Sequence, residues 1–108
     1  MDTDTLFCVP PKDLWAQLGR MDSSHLLAMA LETEDPDSGW YNKFARHPFF
    51  GEVGVNSGVL LMHLERMREG ETNWTSTMED IFNRYSKVLV YGDQDLLNIY
   101  FHFHPGTF

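Results

Sequence analysis

The segment VLVYGDQDLLNIYF, residues 88–101, decides the fold class. Its first four residues are apolar and mostly β-branched or aromatic, which predicts a buried strand over 88–91. Gly92 and Asp93 then form a turn, and Asp93 is a suitable N-cap for a helix whose apolar side chains recur at 96, 97, 100 and 101. A strand that leads through a tight turn into a helix is typical of α/β proteins, in which the sheet is mainly parallel.

The rest of the chain continues this alternation of strands and helices. Short apolar runs predict strands over 5–9, 26–31 and 55–64. Helical spacing predicts a helix that starts at Pro11 and another over 78–85, preceded by a capping box at Ser76. The sequence therefore predicts one α/β domain over residues 1–108, with a mainly parallel sheet and flanking helices.

A long stretch over residues 32–54 interrupts this pattern. It contains two prolines and three glycines, together with five aromatic residues. Disordered linkers are seldom so aromatic, and long loops inside compact domains usually have a function. We expect an ordered binding loop.

Composition excludes several classes of function. The chain has 8 Lys+Arg and 16 Asp+Glu in 108 residues, a formal net charge of −8. Nucleic acids are therefore unsuitable partners, because their phosphates need basic side chains to replace counterions. No apolar run is long enough to span a membrane, and the first residues do not resemble a signal peptide. The single cysteine, Cys8, excludes an internal disulfide.

An acid pair stands at the front of the predicted strand over 5–9. Asp2 and Asp4 are separated by one residue, and two carboxylates so placed can ligate a divalent cation that in turn holds a diphosphate. The same spacing recurs at 35/37 and 93/95, so solvated turn acids are the alternative interpretation.

Two other polar blocks adjoin predicted strands. Residues 93–95, Asp-Gln-Asp, open a helix directly after a strand, where α/β proteins bind ligands. Helix-capping acids are the structural alternative. Residues 56–58, Asn-Ser-Gly, stand at the start of a buried strand. A ligand or a neighbouring loop must supply hydrogen-bond partners for their polar groups. Gly58 indicates a close approach by a ligand or by another backbone segment.

The sequence alone does not decide the role of two short motifs. His102 and His104 have the spacing of two metal ligands on one face of a strand, but no third ligand is near in sequence, and exposed histidines are the alternative. Asn73 opens an Asn-Trp-Thr triplet that fits the N-glycosylation pattern, which is common by chance.

Read in order, four stretches carry a family resemblance. They are the acid pair at 2–4, GWYNKFARHP at 39–48, GVNSGVLLMHLERMR at 54–68 and YGDQDLLNIYFHFHP at 91–105. From Asp2 to about Pro105 the chain closely resembles the glucoside xylosyltransferases, a branch of glycosyltransferase family 8. The stretch at 39–48 narrows the match to that branch.

The resemblance implies a partial GT-A fold, which is Rossmann-like, and a retaining enzyme with a UDP-sugar donor and a divalent metal, usually Mn²⁺. For this branch it implies transfer of xylose from UDP-xylose to glucose O-linked on EGF-like repeats of Notch-type proteins. The parent would be a type II membrane protein of the Golgi or ER lumen. By this resemblance, the chain corresponds to the middle of the catalytic domain, from the Asp-x-Asp motif onward. It would lack the nucleotide-binding half and a C-terminal part, and we expect it to be inactive alone.

The resemblance also assigns roles to single residues. Asp2 and Asp4 match the metal-binding pair, and Thr3 lies near the donor ribose. Asn56, Ser57 and Gly58 match the block that contacts the sugar donor. Asp93 and Gln94 match the active-site pair beside the transferred sugar, and the Gln94 amide oxygen would stabilise developing positive charge. Residues of a loop that would face the acceptor are Trp40, Tyr41, Arg46 and His47.

Two alternatives to an enzyme remain open at this point. One is a non-catalytic interaction module that has kept the family's core but lost donor binding. The other is a metal-binding protein that uses His102 and His104.

Overall fold

The computed structural model describes residues 1–70 and 73–107. Its helices are α1 (Pro11–Trp15), α2 (Trp40–Phe44), α3 (Leu64–Glu69), α4 (Trp74–Tyr85) and α5 (Asp93–Phe103). Its strands are β1 (Leu27–Leu31) and β2 (Val55–Met62), and 3-10 turns cover Ala16–Arg20 and Pro105–Thr107. Helices and a small sheet share the described chain, so the α/β class is confirmed.

The sheet differs from the expected one in its direction. Strands β1 and β2 pair antiparallel, with Leu27 opposite Met62 and Leu31 opposite Val55, and the register shifts between Met29 and Ala30. The expectation of a mainly parallel sheet is therefore wrong for the described residues. A helix usually forms the crossover between parallel neighbours, whereas the connection over residues 32–54 is mostly irregular and contains only the five-residue helix α2.

Two of the four predicted strands are confirmed and two are wrong. The runs at 26–31 and 55–64 form β1 and β2, the second ending early because His63 caps α3 by accepting from the Arg66 N–H. The runs at 5–9 and 88–91 form no strand. Leu6 is 88% exposed and Val90 is 64% exposed. Apolar composition alone does not form a strand, because its backbone groups need a paired neighbour.

The predicted helices are present with shifted boundaries. Helix α4 begins at Trp74, because the Asn73 side chain accepts from the Ser76 N–H at 3.1 Å and serves as the N-cap in place of Ser76. Helix α5 begins at Asp93, and Gly92, with a φ of 58°, is its N-cap. No helix in the described parts of the chain is long and apolar enough to cross a membrane.

Helix α5 is the centre of the core. It packs against β2 on one side and α4 on the other. The buried core cluster consists of Leu27, Ile81, Leu97, Ile99, Tyr100 and Phe101. Burying each large apolar side chain contributes about 1.5–3 kcal/mol, so these contacts fix the position of α5 on the sheet. That position holds the first two turns of α5 beside β2.

Candidate functional site

A polar cluster lies inside this apolar framework, where α5 begins. Gln94, Asp95 and Asn98 are 8%, 0% and 0% exposed. Positions 94 and 98 are one turn apart, so both side chains lie on the same side of α5. Buried polar groups require partners, and here α2, β2 and the loop after β1 provide them.

The Tyr41 hydroxyl is the centre of the cluster. It donates to Asp95 Oδ1 at 2.8 Å and accepts from Gln94 Nε2 and from Asn98 Nδ2, each at 3.1 Å. Burial is the largest cause that raises the pKa of Tyr41 far above its usual value; the hydrogen bond from Gln94 opposes this, and the Asp95 carboxylate adds to it. The hydroxyl therefore keeps its proton and remains a donor.

The Asp95 carboxylate connects the cluster to the backbone. Its Oδ2 accepts from the N–H groups of Val90 and Tyr91, at 2.6 and 2.8 Å. His47 Nε2 lies 3.4 Å from Asp95 Oδ1, and both side chains are fully buried. His47 Nδ1 is 2.8 Å from the Pro48 carbonyl, which can only accept, so this nitrogen carries a hydrogen. Through the bonds from Val90 and Tyr91, Asp95 fixes the turn that precedes α5.

Gln94 joins α5 to β2. Its Oε1 accepts from the Ser57 N–H at 3.0 Å and lies 3.4 Å from Ser57 Oγ. Its Nε2 donates to Tyr41 and, at 3.1 Å, to Glu32 Oε2. The blocks at 56–58 and 93–95 are thus in direct contact, although 37 residues separate Ser57 from Gln94.

Glu32 and Asn98 belong to this cluster but were not predicted from the sequence. Glu32 Oε2 accepts from Asn56 Nδ2 at 2.9 Å as well as from Gln94. Asn98 holds Val55 through both backbone groups, at 2.8 and 2.9 Å. A signal was available for Asn98, which is a polar residue inside the apolar run of α5. For Glu32, the only signal in the sequence was its position directly after β1.

The acid pair lies on an irregular, exposed segment, so its predicted position on a strand edge is wrong. The Asp2 N–H donates to the Gly58 carbonyl at 2.7 Å, and a Cβ on Gly58 would lie 3.3 Å from Asp2 Oδ2. The close approach predicted at Gly58 is therefore present. Thr3 and Asp4, the next two residues of this segment, are exposed. Across the described residues, no group of three His, Cys, Asp or Glu side chains could hold a metal ion.

The predicted acceptor residues divide into two pairs. Tyr41 and His47 are 1% and 6% exposed and face the polar cluster. Trp40 is half-buried against the rings of Tyr41 and Tyr91, with ring centres 5.2 and 4.8 Å away, and Arg46 is exposed. Of these four residues, only Trp40 and Arg46 have side chains that solvent reaches appreciably.

Comparisons with known proteins identify the family of this chain. The model of the family described as "Glycosyl transferase family 8" matches residues 1–105. The chain belongs to glycosyl transferase family 8. This family 8 chain is 44% identical to glucoside xylosyltransferase 1 of Rattus norvegicus over 116 residues, which cover 99% of the chain and 27% of that relative.

Two further relatives also match nearly the whole chain. Glucoside xylosyltransferase 2 of Mus musculus is 44% identical over 97% of the chain and 26% of its own length. The xylosyl- and glucuronyltransferase LARGE2s of Danio rerio is 30% identical over 97% of the chain and 14% of its own length. The chain spans about a quarter of the length of the glucoside xylosyltransferases it matches. No solved structure matches it significantly.

The two histidines near the end of this family 8 chain do not converge. His102 lies in α5 with Nδ1 3.0 Å from the Phe49 carbonyl, and His104 caps α5 with Nδ1 2.9 Å from the Tyr100 carbonyl. The expectation that they share one face of a strand is wrong, because side chains two residues apart on a helix point in different directions.

Asn73 is exposed at the start of α4, and its side-chain oxygen caps the helix. The oxygen makes that contact, so the amide nitrogen is the atom left for a glycan. Glycosylation at Asn73 stays a prediction.

Proposed function

We propose that this chain contributes part of the active site of a retaining, metal-dependent xylosyltransferase. The reaction is transfer of xylose from UDP-xylose to glucose O-linked on EGF-like repeats of Notch-type proteins. One observation carries the proposal: Gln94 contacts Ser57, and Asp2 contacts Gly58, so the three polar blocks of a family 8 chain adjoin one another. The names of the glucoside xylosyltransferase relatives supply the sugar and the acceptor class.

Asp2 and Asp4 are the proposed metal-binding residues, and Mn²⁺ the proposed ion. Their carboxylates are the hard oxygen ligands that such a cation prefers, and the absence of a side chain at Gly58 leaves the Asp2 carboxylate uncovered. When bound, the cation neutralises the charge of the departing diphosphate. Thr3, between the two acids, is proposed to lie near the donor ribose.

The blocks at 56–58 and 93–94 are proposed to hold the transferred sugar. Ser57 and Asn56 offer polar atoms beside Gly58, and Asp93 is exposed at the start of α5, where its carboxylate can accept from a sugar hydroxyl. Gln94 Oε1 is the atom proposed to face developing positive charge. Its contact with Ser57 Oγ, 3.4 Å, is longer than its 3.0 Å bond from the Ser57 N–H, so the hydroxyl is the partner a sugar would replace.

Trp40 and Arg46 are proposed to face the acceptor. An aromatic ring can stack on a sugar, and excluding water protects the donor from hydrolysis. We place the parent protein in the Golgi or ER lumen, where Asn73 would be open to glycosylation.

The test compares two Asp-x-Asp pairs in the protein expressed from its complete coding sequence. The assay uses radiolabelled UDP-xylose, an O-glucosylated EGF-like repeat and Mn²⁺. We expect Asp4→Asn to lower transfer by about 100-fold or more, because it removes a charged ligand. Asp37→Asn is the matched control, since Asp37 stands in an exposed turn where its N–H donates to Asp35 Oδ1, and it should leave transfer unchanged.

The transfer assay, together with a titration of UDP with and without Mn²⁺, separates the alternative functions. A non-catalytic interaction module would show no transfer and no metal-dependent UDP binding. Transfer that survives Asp4→Asn at the wild-type rate would contradict the assigned metal site.

A further inference from the structure

We propose that Tyr41 is a positioning residue whose hydroxyl sets the orientation of the Gln94 carboxamide. Asp95 in turn sets the direction of the Tyr41 hydroxyl. The inference rests on the proposed function only for the purpose that an oriented Gln94 serves; the orientation itself is a property of the chain.

The hydrogen of the Tyr41 hydroxyl has one available direction. An ionised carboxylate only accepts, so in the contact of 2.8 Å with Asp95 Oδ1 the hydroxyl must donate. Its oxygen lone pairs then face the two carboxamides at 3.1 Å, those of Gln94 and Asn98. Both amides must present their NH₂ groups to it.

Asp95 cannot turn away to release this arrangement. Two backbone N–H groups, of Val90 and Tyr91, hold its Oδ2, and the Asp95 side chain is fully buried. The Tyr41 ring is fixed as well: a Cβ on Gly54 would lie 2.6 Å from Tyr41 Cδ2, so the backbone of Gly54 is pressed against the ring. A rigid acceptor therefore faces Gln94.

A flipped Gln94 amide would meet unfavourable neighbours on both sides. Its oxygen would face the Tyr41 lone pairs and the Glu32 carboxylate, and its NH₂ group would face the Ser57 N–H. Glu32 is only partly buried and belongs to a loop, whereas Tyr41 is 1% exposed. Tyr41 is therefore the stronger constraint that keeps Gln94 Oε1 towards β2 and the proposed sugar site.

The test measures hydrogen exchange at the atoms concerned, in the full chain labelled with ¹⁵N. Tyr41→Phe keeps the ring and removes the hydroxyl. We expect exchange of the Gln94 side-chain amide and of the Ser57 N–H to become about five- to tenfold faster, the factor expected for loss of one buried hydrogen bond. Amides of α4 should stay within about twofold of wild type. Tyr85→Phe, the same change on α4, is the control and should alter neither Gln94 nor Ser57.

Two outcomes would overturn the proposal. One is unchanged exchange at Gln94 and Ser57 in a folded Tyr41→Phe chain; the other is equal acceleration throughout α4 and α5, which is the result of a merely structural role. Should Tyr41→Phe not fold, the wild-type chain decides: the Gln94 amide must exchange more slowly than that of exposed Asn83 and show NOEs to the Tyr41 ring. If the Gln94 side-chain amide exchanges as fast as that of Asn83, the proposal is wrong.

Activity provides a separate readout. In the transfer assay, Tyr41→Phe should lower kcat more than it raises KM for UDP-xylose, because the group it misplaces acts on the reacting sugar. If the wild-type protein transfers no xylose, the proposed function fails by itself, and the exchange measurement still decides whether Tyr41 positions Gln94.

Discussion

At the scale of single residues, Gly54 is a position that should not tolerate a side chain. Its φ is +78°, and a Cβ would come within 2.6 Å of the Tyr41 ring and 3.0 Å of Asn98 Oδ1. We expect Gly54→Ala to lower the free energy of unfolding by about 3 kcal/mol or more, because a strained φ and a collision with two buried groups add together. Denaturant titration of the wild-type protein and the variant measures this change in the free energy of unfolding.

Gly51 is the matched control for Gly54. It also has a positive φ, +59°, but nothing lies within 4 Å of its hypothetical Cβ. Gly51→Ala should therefore lower the free energy of unfolding by only about 1–2 kcal/mol, from backbone strain alone. Equal losses at the two positions would contradict the tight contact between Gly54 and the Tyr41 ring.

Asp22 offers a residue-scale test of pH dependence. The Ser24 hydroxyl and N–H both donate to its carboxylate, at 2.6 and 2.8 Å, and these bonds lower the pKa of Asp22. A lowered pKa in the folded state means that the contribution to stability is present above the unfolded pKa. It is lost as the pH falls through the folded pKa. NMR titration of the Asp22 carboxyl should show a lowered midpoint that rises in Ser24→Ala.

Ser23→Ala is the control for this titration. Ser23 is the exposed neighbour of Ser24, and its removal should leave the Asp22 midpoint in place. An Asp22 midpoint that does not respond to Ser24→Ala would show that the two hydrogen bonds are not its cause.

At the scale of elements, the start of α4 depends on one side chain, that of Asn73. Asn73→Ala removes the cap on the Ser76 N–H and should lower the free energy of unfolding by about 1 kcal/mol. Asn73→Asp keeps an equally good cap and should be close to wild type by thermal denaturation. Equal destabilisation by both changes would contradict the cap. In a secretory host, Asn73→Asp should also remove any glycan at this site.

The elements show where sequence reasoning succeeds and where it stops. Apolar runs correctly predict β1 and β2, and the spacing after Gly92 predicts α5, because a local pattern decides these elements. The run at 88–91 looks the same locally but forms no strand, since its backbone lacks a strand to pair with. Instead, Val90 and Tyr91 donate to Asp95. The direction of β2 relative to β1 depends on the path of the chain through residues 32–54. No local sequence pattern indicates that path.

The site shows the same limit. The blocks at 56–58 and 93–95 were identifiable as polar steps beside apolar runs, but their contact across 37 residues was not. Glu32 is 62 residues from Gln94, its partner, and Tyr41 is 54 residues from Asp95. Tyr41 and His47 were therefore expected to face an acceptor, although both are buried in the polar cluster. Only the fold determines which polar side chains meet.

At the scale of the whole molecule, apolar surface and the acid pair lie together near the start of the chain. Leu6, Val9 and Trp15 are 88%, 59% and 71% exposed, and the described sheet has only two strands. Two-stranded sheets are by themselves only marginally stable in water, and unpaired sheet edges favour pairing with other chains. The segment that carries Asp2 and Asp4 is thus the least supported part of the proposed site.

This arrangement leads to a prediction for the isolated 108-residue chain: we expect no measurable xylosyl transfer. Two carboxylates on an exposed, irregular segment hold a hard cation weakly, because water fills the other coordination positions. No third His, Cys, Asp or Glu completes a group with them in residues 1–70 and 73–107. The measurement is the radiolabelled UDP-xylose assay with Mn²⁺, using the complete coding sequence as the positive control. Clear turnover by the purified chain, abolished by Asp4→Ala, would show that these 108 residues carry a working site.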